Sequence, residues 1–375
     1  LETHQCGDRA LLLYPPGHEF LVAFFGCLRA GIIAVPLPPP DAARIKRALP
    51  RLESVIRDAQ ASIVLTTNTI GNLLRSHFQD AGNFHSLSWF NTESIGTEEK
   101  KESLGDTVEP LADDIAFLQY TSGSTSTPKG VMVSHSNVLH QCRALKAGAD
   151  YDEHSVTCTW MPYHHDYGLI EGLIQPLFVG VPCYFLSPLA FIKRPHRWLE
   201  AISKYRVTHS QAPNFAYDLC VRKVTPEQRS KLDLSSWVVA ANAAEPVRAQ
   251  TLEAFYEAFK DCGLRWETLA PAYGLAEATL IVTHTSPGEG PTLLAAEIES
   301  YERGKLVEAG GGRTWSVVSC GRVLSEMRVE IINPETRVQC PAGVVGEIWV
   351  AGPSVAGGYW NRPDETEHSF QARLA

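Results

Sequence analysis

The chain opens with an alternation that leaves few folds available. Ala10 to Tyr14 form a short apolar run ended by Pro15-Pro16-Gly17. Phe20 to Ala30 have helical spacing that stops at Gly31. Ile32 to Val35 form a second apolar run, stopped by Pro36, Pro38, Pro39 and Pro40. Strand, helix and strand within about 30 residues predict a βαβ unit and a parallel sheet. The pattern continues with a helix over Arg44 to Gln60, interrupted at Pro50, and strands at Ser62 to Thr66, Ile115 to Tyr120, Gly130 to Ser134 and Val238 to Ala241. Helices are expected over His196 to Tyr205 and Arg248 to Lys260, where Leu252, Phe255, Tyr256 and Phe259 share a face. Glu93 to Asp113 is polar and acidic and reads as a surface loop or joint. After about Ser316 the pattern changes: Met327, Val329 and Ile331 alternate with charged residues, and Glu347 to Val350 follow a turn at Asn333-Pro334-Glu335, which predicts antiparallel β.

At 375 residues the chain exceeds one ordinary domain, and 44% hydrophobic with 20% charged residues is a globular balance. The net charge of −9 argues against nucleic acid or an anionic membrane as partner. An anionic ligand must therefore be held by a local set of donors. Nine scattered cysteines with no C-x-x-C pair predict reduced, unpaired thiols and a cytoplasmic setting. The most apolar stretch, Phe20 to Pro36, is broken by Gly26, Arg29, Gly31 and Pro36, so no membrane span is expected. Leu1-Glu2-Thr3-His4-Gln5 is neither a signal peptide nor a natural start, and reads as the edge of a longer polypeptide.

The sharpest local signal lies between two of the expected strands, in Tyr120-Thr121-Ser122-Gly123-Ser124-Thr125-Ser126-Thr127-Pro128-Lys129-Gly130. Six of the seven residues from Thr121 to Thr127 carry hydroxyls. Consecutive backbone N–H groups and hydroxyls donate to phosphate oxygens, glycine admits close approach, and Lys129 adds a mobile positive charge. The bland alternative is a solvated Ser/Thr linker, which the flanking strands and the Pro-Lys-Gly ending disfavour. No G-x-x-x-x-G-K-[ST] is present, so this is not a P-loop.

This loop resembles the phosphate loop of the adenylate-forming superfamily of acyl-CoA synthetases, luciferases and peptide-synthetase adenylation domains. Three further segments resemble the same family in the same order: Met161 to Leu169, Asn242-Ala243-Ala244-Glu245-Pro246, and Ala272 to Thr279. Gly346-Glu347-Ile348 and Gly357-Gly358-Tyr359-Trp360 resemble its β subdomain. The phrases Gln119 to Thr125, His165 to Ile170 and Pro213 to Tyr217 are most similar to fatty acyl-AMP ligases, as is the long interval from Glu277 to Cys320. That branch carries an insertion, expected here at 291–313, thought to hinder thioesterification to CoA.

The resemblance implies an α/β fold. Two mostly parallel βαβ subdomains would fill 1–315, and a small antiparallel, barrel-like β subdomain would fill 316–375. The small C-terminal domain would be absent, and a ribose-binding aspartate would lie just beyond Ala375. It implies activation of a fatty acid with ATP and Mg²⁺ to an acyl-adenylate, for transfer to an acyl carrier protein. Whether the chain stands alone or is fused to a polyketide or nonribosomal peptide synthase stays open. His165, Glu277 and Lys129 would be catalytic. ATP would be held by Thr121, Ser122, Gly123, Ser124, Thr125 and Lys129, by Asn242, Ala243, Ala244 and Glu245, and by Ala272, Tyr273, Gly274 and Leu275. Glu277 and Thr125 would hold the metal. His165, Asp166, Asn214, Phe215, Tyr217, Phe185 and Phe191 would meet the acyl group, although core packing explains each of these aromatic residues equally well. Two residues depart from the family pattern: Tyr167 stands where methionine is usual and Ala243 where glycine is usual. The rival readings are a fatty acyl-CoA ligase and a non-catalytic nucleotide-binding module of a synthase.

Overall fold

A computed structural model describes residues 5–40, 45–77, 87–94, 109–121, 128–311 and 313–375. Contacts divide the chain into two units, Leu1–Asn137 with Ala356–Gln371, and Val138–Val355 with Ala372–Ala375.

The first unit is built on strands β1 (Arg9–Leu13), β2 (Ile33–Pro36), β3 (Ile63–Thr66), β4 (Ser88–Asn91), β5 (Ile115–Tyr120) and β6 (Gly130–Ser134). Their order is β4-β3-β1-β2-β5-β6, parallel except for β6, which runs antiparallel to β5. Leu11, Leu13, Val35, Val64 and Leu118 pack against Leu52, Val55 and Ile56 of the helix Ile45–Ala59. On the helix His18–Arg29, Phe20 and Phe24 form an aromatic group with Phe117, the Phe24 and Phe117 ring centroids lying 5.7 Å apart. Each such side chain stabilises the fold by roughly 1.5–3 kcal/mol when fully buried. Contrary to the expected interruption, the helix Ile45–Ala59 runs through Pro50. Pro50 is exposed, and the carbonyl its missing N–H leaves free belongs to exposed Lys46 in the first turn, at the solvent side of the helix. The segment Ala356–Gln371 belongs to this unit: Met132 and Gly130 exchange backbone hydrogen bonds with Gly357, Gly358 and Trp360, and Arg362 donates to Asp58 at 2.6 Å.

The second unit holds a seven-stranded sheet in the order β15-β12-β11-β10-β9-β7-β8, formed by β7 (Thr157–Thr159), β8 (Cys183–Phe185), β9 (His209–Ala212), β10 (Val239–Asn242), β11 (Leu269–Gly274), β12 (Ile281–His284) and β15 (Arg322–Val323). From β8 to β11 it is parallel; β12 and β15 are antiparallel. Its core gathers Trp198, Trp237, Tyr217 and Phe255, with Trp198 and Trp237 5.3 Å apart edge to face. The stretch 291–313, where the insertion is expected, contains β13 (Leu293–Glu297) and a short helix Ile298–Glu302, and β13 pairs antiparallel with β14 (Thr314–Val318). It is tied by Leu306 N–H to Gly343 O and Val345 N–H to Gly304 O. The alternating strands predicted near the end are β16 (Arg328–Ile332) and β17 (Glu347–Ala351), a two-stranded antiparallel sheet within this unit. All nine cysteines are unpaired, and no helix among the described residues is long and apolar enough to cross a membrane.

Candidate active site

In the second unit, the residues singled out from the sequence gather at one edge. Strands β7, β9, β10 and β11 are neighbours and run parallel, so their C-terminal ends point the same way. His165 and Asp166 follow β7. Asn214 starts the helix Asn214–Lys223 just after β9, Asn242 ends β10, and Tyr273 and Gly274 end β11. In open α/β sheets this is the edge where ligands bind.

Each residue is held by identifiable partners. The His165 side chain is half exposed, and its Nδ1 lies 2.6 Å from Asp166 Oδ1. Burial alone would lower the His165 pKa, but the hydrogen bond and the charge of Asp166 outweigh it, and the net shift is upward. Buried Asp166 also accepts the Tyr167 N–H at 2.6 Å, which fixes the carboxylate at the start of the next helix. Asn214 is buried and fully engaged: its amide donates to Thr251 Oγ1 at 3.2 Å, and its oxygen accepts from Arg248 N–H at 3.1 Å and Asn242 Nδ2 at 3.5 Å. Asn242 keeps one buried oxygen, Oδ1, with no hydrogen-bond partner among the described residues. Glu245 turns back to accept the Phe215 N–H at 2.5 Å, a carboxylate at a helix N-terminus. Ala244 takes a left-handed backbone with φ 68, and Ala243 beside it is buried.

Tyr273 and Glu277 are positioned by backbone. The β11–β12 pairing shifts register between Tyr273 and Gly274, a bulge that re-aims the strand end. A Cβ on Gly274 would lie 1.9 Å from the Leu280 carbonyl oxygen, so only glycine fits. A single 3₁₀ turn, Ala276–Ala278, carries Glu277. It ends at buried Thr279, whose φ 68, ψ −53 and flanking Leu280 N–H to Ala278 O bond of 2.8 Å make a γ-turn of the rare positive-φ kind. Thr279 Oγ1 donates to Ser354 O at 2.6 Å, which holds the strained turn in place. The Tyr273 phenol is shifted upward by burial first and by the nearby Glu277 charge second. Among the described residues no three His, Cys, Asp or Glu side chains gather to hold a metal. A single carboxylate such as Glu277 is a donor set that fits a hard cation bound mainly through phosphate oxygens.

The expected acyl residues divide. Phe191 is buried and stacked on Trp160 at 3.8 Å; Tyr217 is buried with its hydroxyl donating to Ala241 O at 2.7 Å; Phe185 and Phe215 are exposed. In the first unit, Thr121 N–H donates to Lys129 O at 3.2 Å and closes the base of the hydroxyl-rich loop, while Lys129 Nζ lies 5.0 Å over the Tyr359 ring. Ser122, Gly123, Ser124 and Thr125 lie outside the described residues.

A family model described as "AMP-binding enzyme" matches residues 3–360. The chain belongs to the AMP-binding enzyme family. It is 49% identical over 373 residues to a medium-chain-fatty-acid–[acyl-carrier-protein] ligase, JamA, of Moorena producens, covering 98% of this chain and 63% of the relative. A second such ligase, TtuA of Teredinibacter turnerae, is 34% identical over 405 residues, covering 98% of this chain and 62% of the relative. The crystal structure of a fatty acyl-adenylate ligase from L. pneumophila, in complex with acyl adenylate and pyrophosphate, superposes with a TM-score of 0.90 at 40% identity, covering 100% of this chain and 64% of that one. The AMP-binding chain thus spans less than two thirds of these relatives. Its α/β architecture with largely parallel sheets is the one expected from the sequence.

One group on this unit escaped the sequence reading. Glu171 and Gln175 stand in and just after the apolar run Tyr167 to Ile174, and both are buried. A single carboxyl within an otherwise apolar helical run was the available signal.

Proposed function

We propose that the complete protein activates a fatty acid with ATP, releasing pyrophosphate and forming an acyl-adenylate, and passes the acyl group to an acyl carrier protein. The observation that carries this reading is the convergence of His165, Asn242, Tyr273 and Glu277 on one sheet edge. The names of the two ligase relatives and of the adenylate-bound structure support it.

In this reading a carboxylate attacks the α-phosphorus and pyrophosphate leaves. Two anions must meet, so donors and cations dominate the catalysis. The Tyr273 face offers stacking to adenine. The unpartnered Asn242 Oδ1 is an acceptor suited to an amino group such as adenine carries. His165, steadied by Asp166, orients the carboxylate. By the resemblance, Lys129 and the hydroxyl-rich segment from Thr121 to Thr125 would be the donors to phosphate oxygens. Mg²⁺, for which Glu277 and Thr125 are the candidate ligands, would supply charge neutralisation at the phosphates. The β13–β14 insertion, bonded to the 343–345 loop, is the element that would disfavour CoA as acceptor.

The test is mass spectrometry of products from the complete protein with ATP, Mg²⁺ and a fatty-acid panel, with CoA or a carrier protein added. Acyl-AMP should accumulate with CoA present and be consumed by the carrier protein. Accumulation of acyl-CoA would favour the CoA-ligase reading, and no adenylate at all would favour a binding module.

A further inference from the structure

The segment Tyr167–Ile174 is wound as a π-helix, with Gln175 N–H bonded five residues back to Ile170 O. Wide turns of this kind recur at functional sites. The wide winding brings Tyr167, Glu171 and Gln175, each four apart, toward one side. All three are buried, Glu171 at 5% exposure and Gln175 at 0%. The Tyr167 hydroxyl, Glu171 Oε2 and both amide atoms of Gln175 have no hydrogen-bond partner among the described residues.

This interior is not simply an apolar core that tolerates a stray carboxyl. Burial pushes Glu171 up to about 8, so it is largely protonated at neutral pH. Three buried phenols lie within reach of its charge: Tyr167 on the same helix, Tyr217 from the helix Asn214–Lys223, and Tyr151 after the helix His135–Gly148. Burial raises each phenol's pKa first, and the Glu171 charge adds to it. The other side of the helix presses on the sheet, since a Cβ on Gly172 would lie 2.8 Å from Gln211 Nε2 and 2.9 Å from Thr159 Oγ1. Buried polar atoms without partners are costly and call for an explanation such as a ligand.

The candidate ligand follows from position. The helix begins directly after His165 and Asp166, where the proposed function puts the substrate carboxylate. Glu171 lies about one wide turn into that helix, further from the carboxylate end. We propose that Tyr167, Glu171 and Gln175 form a polar subsite for the distal part of the acyl chain, selecting a fatty acid that carries a hydroxyl group there. A protonated carboxyl, an amide and a phenol each both donate and accept, which is the complement of a hydroxyl and not of a methyl end. This inference rests on the acid-activating function proposed above.

The experiment measures kcat/KM for adenylation of octanoate and of 8-hydroxyoctanoate by the complete protein, its Glu171→Gln variant and its Glu171→Leu variant. The wild type should prefer the hydroxy acid by at least about tenfold, because a site built to bond a hydroxyl rejects the analogue that lacks it. Glu171→Gln should keep most of that preference. Glu171→Leu should abolish or reverse it, through KM more than kcat. Equal use of the two acids by the wild type, or an unchanged ratio in Glu171→Leu, overturns the inference alone and leaves acid activation standing. Failure of the wild type to adenylate either acid removes the underlying reading and the inference with it. If Glu171→Leu does not fold, Tyr167→Phe tests the same subsite with volume kept, and the ratio should fall at least about threefold.

Discussion

The two large sheets, one in each unit, do the same structural job with different chemistry. In the first unit, β1, β2, β3 and β5 read Arg-Ala-Leu-Leu-Leu, Ile-Ala-Val-Pro, Ile-Val-Leu-Thr and Ile-Ala-Phe-Leu-Gln-Tyr, the apolar runs expected of strands covered on both faces. In the second, β7 reads Thr-Cys-Thr and β9 His-Ser-Gln-Ala, yet every residue of both is buried. The polar atoms there are paired inward. Ser210 donates to Cys158 O at 2.5 Å and accepts from Trp198 Nε1 at 2.8 Å, Gln211 donates to Thr159 Oγ1 at 3.1 Å, and His209 Nε2 lies 2.8 Å from Ala149 O. The first sheet is packed almost wholly by apolar side chains; the second adds to its aromatic core a side-chain hydrogen-bond network whose buried members need partners. Two of the segments proposed to handle substrate, 161–169 and 213–217, follow strands of the second kind, β7 and β9.

The contrast can be broken at four points. The largest effect is expected at Phe117→Ala, which deletes a fully buried ring from the apolar sheet and should cost about 3–5 kcal/mol in a urea titration. Next is Glu171→Gln, read against pH. In the folded wild type Glu171 titrates at about 8, against 4.5 for an ordinary side chain. Below pH 4.5 both states are protonated and the variant should match the wild type. As pH rises through 8 the wild type progressively loses stability that the variant keeps. Each tenfold in proton affinity is worth about 1.4 kcal/mol, so the gap should reach a few kcal/mol by pH 9. Identical pH profiles for the two proteins would show that the carboxyl is not buried neutral. Third, if Glu277 serves phosphate chemistry as proposed, Glu277→Ala should reduce adenylation by about 100-fold, measured as acyl-AMP formed per unit time. A rate unchanged by this substitution would remove Glu277 from the mechanism. The smallest effect is expected at Ser210→Ala, about 1–2 kcal/mol, because Trp198 Nε1 loses its acceptor while the volume barely changes. If Ser210→Ala cost as much as Phe117→Ala, the distinction between the two sheets would fail.

The same contrast explains what could be read from the residues alone. Most strands of the first unit announce themselves as short apolar runs, and β1, β2, β3, β5 and β6 were expected near their observed positions, whereas β4, Ser-Trp-Phe-Asn, was not. In the second unit only β10, with Val239, Ala240 and Ala241, carried such a run. His209–Ala212 has the composition of a loop, and nothing local says that Trp198 and Thr159 wait to satisfy it. The candidate site residues were picked out by motifs. What motifs could not give was the reason each sits where it does: the register shift at Gly274, the γ-turn at Thr279 and the amide bonds of Asn214 are long-range facts. Helix continuity through Pro50 was missed for a related reason, since the cost of a proline depends on whether water reaches the carbonyl it leaves free.

The π-wound stretch after Asp166 has a consequence for how such a chain can change through descent. Regular winding advances about 100° per residue. Loss of one codon within Tyr167–Ile174 would let the segment relax toward ordinary helix and rotate everything beyond the deletion by about that angle. A carboxyl now held among tyrosines would then swing toward the sheet or toward water without any change in its identity. A single-residue deletion could therefore rewrite what this interior accepts while every catalytic motif is left as it was.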